Sequence, residues 1–148
     1  MSPWKKLGLI AGGALLLAQA VPFGRDHENP PVSEEPAWND PATRQLAARA
    51  CFDCHSNQTH WPWYSFVAPA SWIVTNDVMG GRHQLNFSEW DRPQKDADEA
   101  AEAVEEGYMP LSIYTPLHPE AQLTDAEVKR LAAGFRATPG FQKSGHSD

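Results

Sequence analysis

Apolar residues recur at helical spacing along most of this chain, and strict alternation with period two is nearly absent. Leu7 to Ala18 is an almost unbroken apolar run. Asp40-Pro41 has the form of an N-cap followed by proline in the first helical position, opening a helix through about Ala50, with Cys51 to His55 continuing its last turn. Pro69 opens a second helix that carries Trp72, Ile73 and Met79 and is expected to stop at Gly80-Gly81, with Met79 a core residue. Ala97, Ala100, Ala101 and Val104 follow i, i+3, i+4, i+7, and Gly107 stands where a C′ glycine belongs. Thr124-x-x-Glu127 is a capping box ahead of the stripe Val128, Leu131, Ala132 and Phe135. The pattern predicts an all-α domain whose long irregular loops wrap around something.

The first apolar run has a different character from the rest. Lys5 and Lys6 precede it, no polar face interrupts it, and Ala18-Gln19-Ala20 is a small-x-small arrangement of the kind that signal peptidase cuts. Two readings stand. Either the segment is a signal cleaved near Ala20, or residues 7–23 remain as a membrane anchor, short for a bilayer core of ~30 Å. In both, the lysines stay on the cytoplasmic side and the rest is exported to the periplasm. Arg25 to Pro36 is polar and holds three prolines, which suits an extended linker or a strap on the domain surface. The chain therefore divides into a signal or anchor (1–23), a linker (24–37), a domain (38–140) and a tail (141–148).

Composition narrows the class. Hydrophobic residues make up 41% of the chain and aromatics 10%, with six tryptophans, so a packed globule is expected. About a hundred residues make a small core, which a buried cofactor would help to fill. The formal net charge is −7, and loss of residues 1–20, with Lys5 and Lys6 and no acid, would take it to −9. With no run of Lys and Arg, nucleic acid is not an expected partner.

The only two cysteines stand three residues apart in Cys51-Phe52-Asp53-Cys54-His55, which is C-x-x-C-H, the c-type haem attachment sequence. On a helical turn residues i and i+3 share a face, so both thiols reach the two vinyl groups on one porphyrin edge. His55 follows and aims an imidazole nitrogen at the iron. A zinc site would need about four ligands, and only one Cys pair is present. A thioredoxin-like pair would open a helix in a βαβ setting, whereas this one closes a helix. A plain disulfide leaves His55 without a role.

Cytochromes c commonly hold iron between His and Met. Met109, in Glu106-Gly107-Tyr108-Met109-Pro110, follows a helix end, and Pro110 biases it to extended backbone, a setting that presents a side chain to a ligand. It lies 54 residues beyond His55, leaving room for a helix and loops around the haem edge. His60, His83 and His118 are its rivals, and an open sixth position is the further alternative. Trp61 and Trp63, in Trp61-Pro62-Trp63-Tyr64 directly after the motif, are candidate haem-packing residues, with Trp72 and Trp90 behind them.

With these residues in view, the chain resembles the bacterial haem-binding-domain proteins, small exported single-haem cytochromes. The resemblance rests on CFDCHSNQTHWPWYSFVAPASW (Cys51 to Trp72), GRHQLNFSEW (Gly81 to Trp90) and YMPLSIY (Tyr108 to Tyr114), with Pro22-Phe23-Gly24-Arg25 and Asn29-Pro30-Pro31-Val32 ahead of them. It covers roughly residues 22–138. It implies a cytochrome c-like helical domain around one haem c, often behind an N-terminal anchor. It also implies Cys51, Cys54 and His55 as haem residues and the Met-Pro element as the distal side. The expected function is electron transfer with redox partner proteins, after loading by the haem c maturation machinery. A haem-based sensor or small-ligand binder is the alternative. A dihaem peroxidase would need a second C-x-x-C-H, so no enzyme is expected.

Overall fold

The computed structural model describes residues 1–142. Six α-helices occur among them: α1 (Pro3–Ala18), α2 (Pro41–Ala50), α3 (Phe52–His55), α4 (Ala70–Gln84), α5 (Ala100–Glu105) and α6 (Asp125–Ala137). No strand occurs among the described residues, and the sole β-type pairing there is an isolated bridge between Glu34 and Glu89. The fold is all-α, as the spacing of apolar residues predicts.

Local chemistry sets the starts of α2 and α6 and the end of α5. The Asp40 side chain accepts the Thr43 N–H at 2.8 Å and caps α2. Thr124 and Glu127 form the full capping box of α6, the Glu127 carboxylate accepting the Thr124 N–H at 2.8 Å. Ala97, Ala100, Ala101 and Val104 are all buried, but the element starts as a 3-10 turn (Ala97–Glu99) and becomes α-helical as α5. Gly107 follows at φ 75°, in the left-handed region.

Two expectations fail on α4. The helix does not stop at Gly80-Gly81 but runs on to Gln84, because neither glycine takes a positive φ. Met79 is not a core residue: it is 61% exposed, while Val78 beside it is buried.

The polar segment after α1 is a strap. Asn29 donates to the Thr59 carbonyl, Asn57 donates to the Pro31 carbonyl, and the Ser33 and Trp90 N–H groups cross between strap and body. Arg82 gathers this region through four bonds, to Ser56 O, Glu28 O, Asn29 Oδ1 and Thr59 Oγ1, at 2.8–3.0 Å. Burial pulls its pKa down, and those acceptors keep the guanidinium supplied with partners.

The core has two parts. One is a cluster of rings, Trp38, Phe52, Phe87, Trp90, Phe135 and Phe141, with neighbouring centroids 4.7–6.5 Å apart. Phe141 belongs to it and is buried, so the domain reaches past residue 140. The remainder of the expected tail, 143–148, lies outside the described residues. The other part is a cavity between α3, α4, α5 and the loop after α5.

Candidate functional site

Cys51 to His55 forms one tight helical turn at the junction of α2 and α3. The Cys51 N–H donates to the Ala47 carbonyl, closing α2, and the Cys54 and His55 N–H groups both donate to the Cys51 carbonyl. Cys51 itself leaves the helical region at φ −127°, so α3 is a separate turn and not a continuation of α2. Both thiols are free and share a face of that turn.

The turn packs onto α4 at Gly81. A Cβ there would lie 2.4 Å from the Cys54 carbonyl oxygen, so only glycine permits this approach. That close crossing is the reason for a glycine where a helix stop was expected. It also brings the side of α4 bearing Asn76, Asp77, Gly80, Gly81 and Gln84 against the cavity.

The cavity measures about 430 Å³, within the size of small-molecule and cofactor sites. Cys51, Cys54, His55 and Met109 all line it. Its walls are largely small or aliphatic, from Ala50, Ala100, Ala103, Val104 and Leu111, with Phe87, Phe135 and Tyr114 as its aromatic lining. Four carboxylates, Asp53, Asp77, Asp96 and Glu99, also border it, and among the described residues no Lys or Arg does. Burial raises the pKa of Asp77.

Each candidate ligand has a partner that orients it. The His55 Nδ1–H donates to the Leu85 carbonyl at 3.1 Å, which leaves Nε2 as the nitrogen free to coordinate. Burial also lowers the His55 pKa, favouring the neutral ring that a metal requires. The Phe87 N–H donates to the His55 carbonyl at 2.8 Å and holds the residue from behind. The Met109 N–H donates to the Ala103 carbonyl at 3.0 Å, fixing the start of the loop to α5. Farther along that loop, the Tyr114 hydroxyl donates to Asp53 Oδ2 at 2.6 Å, tying it to the cysteine turn. Burial, followed by the bond to Asp53, drives the Tyr114 pKa up. Burial likewise pushes the Cys51 and Cys54 thiols up to about 12.

The other candidates fall elsewhere. Trp61 and Trp63 do not line the cavity. Trp61 stacks on His27 at 4.5 Å, and Trp63 is 79% exposed. The chain leaves the cavity where α3 ends at His55, so these rings pack on the strap or face solvent instead. None of His60, His83 and His118 borders the cavity either: His60 is exposed, His83 meets Lys95, and His118 stacks on Tyr114 at 4.0 Å while bonding Tyr64. Sequence reasoning missed Phe87, Tyr114, Gly81 and the Leu85 carbonyl. The first three sit inside the quoted motifs GRHQLNFSEW and YMPLSIY, where an unexplained glycine and aromatic were the available signal.

An all-α domain that gathers C-x-x-C-H and a methionine around one apolar-walled cavity belongs to the class of haem proteins. Comparison with protein families gives the same answer: the model described as the haem-binding domain matches residues 13–137. The chain belongs to that family, and haem is its cofactor. No curated protein and no solved structure matches it.

Proposed function

We propose that this protein is a single-haem c-type cytochrome that passes electrons between redox proteins in the periplasm. The observation that carries the reading is the meeting of Cys51, Cys54, His55 and Met109 on one cavity, with His55 Nδ1 already committed to Leu85. A bound haem supplies a one-electron ferric/ferrous couple.

The chain's own residues set how that couple is used. Cys51 and Cys54 tether by thioethers. Each S–H adds across one vinyl C=C, sulfur bonding one carbon and hydrogen the other, with no net oxidation. This addition is the task of the haem c maturation machinery. His55 Nε2 and the Met109 thioether would hold the iron, and a coordination sphere filled by both would let the oxidation state change with little rearrangement. Phe87, Val104, Leu111 and Phe135 exclude water. The four bordering carboxylates give the cavity mouth a negative field, so redox partners present a basic or apolar face. Such encounters are small and short-lived. With one attachment motif in the chain a dihaem peroxidase is not the reading, and we take the protein as a carrier.

We place the domain outside the inner membrane with α1 kept as its anchor. Gln19, in the candidate cleavage site, makes two bonds with Ala68: its Nε2 donates to the carbonyl at 2.8 Å and its Oε1 accepts the N–H at 3.1 Å. Cleavage near Ala20 would discard both. The family match also runs unbroken through that site.

An optical spectrum of protein made with haem c maturation machinery tests the ligation. A low-spin c-type spectrum with a weak far-red Met–iron band, unmoved by carbon monoxide, is expected, and Met109→Ala should lose that band. A high-spin spectrum that shifts with carbon monoxide in the unaltered protein would put the sensor reading ahead.

A further inference from the structure

Residues 61–76, WPWYSFVAPASWIVTN, include no charged side chain, in a chain that is 21% charged. The segment is nonetheless not buried. Between Trp61 and Thr75 the exposed positions are Trp63, Phe66, Val67, Pro69 and Ile73, every one apolar. Trp63 is 79%, Phe66 60% and Ile73 55% exposed. Exposed apolar patches of this kind mark contact surfaces.

This patch surrounds the point where α1 joins the domain. The two Gln19–Ala68 bonds fasten the end of α1 beside Val67. Gly24 passes so close to α4 that a Cβ would lie 2.7 Å from the Ser71 carbonyl oxygen, and Phe66 meets His27 edge-on at 4.3 Å. Val21 and Phe23, between α1 and the strap, are exposed as well. α1 itself buries no residue and exposes Trp4, Leu7, Leu9, Ile10, Leu16 and Leu17.

Length turns this arrangement into a constraint. The 16 residues of α1 rise about 24 Å at 1.5 Å each, short of a hydrocarbon core of ~30 Å. No described helix is long and apolar enough to cross a membrane by itself. A short anchor is accommodated by local thinning of the bilayer and by drawing its flanking residues into the interface. The flanks here are Val21, Phe23 and the charge-free face, with a tryptophan at its rim where the interfacial zone favours one.

We infer that residues 63–73, with Val21 and Phe23, seat the domain on the lipid bilayer around the exit of α1. The inference rests on α1 being retained as the anchor. Apolar burial is the source of the attachment, since a net charge of −9 beyond residue 20 (−7 less Lys5 and Lys6) gives the domain no attraction to anionic headgroups. Seating of this kind holds the haem domain against the membrane surface instead of leaving it to swing on the strap.

The test uses the full-length, haem-loaded chain in vesicles of phosphatidylcholine and phosphatidylglycerol, with p-benzoylphenylalanine at Phe66, at Ile73, or at Lys129 as control. Lys129 is exposed on α6, which packs on α5 and α2, away from the patch. After illumination, lipid adducts are expected at 66 and 73 and none at 129, with no loss when salt is raised. Chains that stay with the vesicles but give no lipid adducts at 66 and 73, or give only adducts to protein, overturn the seating while leaving the anchor intact. A mature chain from cells that begins near Val21 overturns the anchor, and the seating with it.

Discussion

Two regions of the interior meet along Phe87 and Phe135, and they are built by opposite rules. On one side those rings join Trp38, Phe52, Trp90 and Phe141 and pack ring against ring. On the other side the same two phenylalanines face Ala50, Gly80, Gly81, Ala100 and Ala103 across about 430 Å³. Protein interiors are packed as densely as organic crystals, and the ring cluster follows that rule while the cleft beside it does not. Large residues stand where the chain packs on itself, and small ones where a flat group is to be admitted. The contrast separates what stabilises the fold from what makes room for haem.

The strongest way to break the contrast is chemical. Cys54→Ala removes one of the two thioether positions without touching the ring cluster. Stable covalent haem should be lost or nearly so, read as the mass of the intact chain and as haem extractable into acidified organic solvent. A variant that stays fully loaded would remove the covalent reading while leaving haem binding itself in place.

Next come two substitutions that trade the character of the regions. Phe141→Ala opens a hole in the filled side, clear of the cavity lining, and should cost ~3–5 kcal/mol in denaturant unfolding, with or without haem. Ala103→Phe fills the cavity instead. Overpacking a dense core costs ~1–3 kcal/mol, but here a space awaits the ring, so the haem-free chain should lose less than about 1 kcal/mol. Haem loading of the same variant should collapse. Equal losses of stability in the two variants would mean that the cavity wall is as tightly packed as the ring cluster.

Gly81 stands where the regions are joined. Gly81→Ala sets a Cβ 2.4 Å from the Cys54 carbonyl oxygen, within α4 at a site that a backbone of ordinary helical φ otherwise tolerates. The expected cost is ~1–3 kcal/mol, offset in part by alanine's better helix propensity. Gly80→Ala, one residue earlier and with open space around it, gains that propensity without the clash. The pair isolates the close approach of α4 to the cysteine turn.

The helices were legible in the chain because they follow from local rules, whereas the ring cluster, which joins Trp38 to Phe87 and Phe141, was not. The α6 stripe and its capping box, the Asp40–Pro41 start of α2, and the buried face at Ala97 to Val104 all depend on residues within a turn or two of one another. C-x-x-C-H was legible for the same reason. What escaped were properties of approach between distant segments. Gly80-Gly81 resembled a helix stop, since a glycine pair at a helix end and one at a crossing look alike until the crossing partner, Cys54, is in place. Trp61 and Trp63 were expected on the haem because aromatic rings followed the motif, but proximity along a chain leaving a helix says little about direction. Tyr114 and its bond to Asp53 span 61 residues, and no local spacing points to it.

The smallest expected effect lies on the outer side of α6, away from both regions, and depends on pH. Glu127 accepts from Thr124 and from Arg49, and these bonds hold its carboxyl down at about 2 against an ordinary value of 4.5. Its folded pKa is depressed, so its contribution is fully present above the unfolded value and is lost as pH falls from about 4.5 towards 2. Between pH 5 and 8 it should be constant. Glu127→Gln should therefore lower the unfolding midpoint slightly and evenly across that neutral range, and the gap to the parent should close below about pH 4. Because α6 carries Phe135 at its far end, any drop in haem loading of this variant near neutral pH would show that the two regions are less independent than their packing implies.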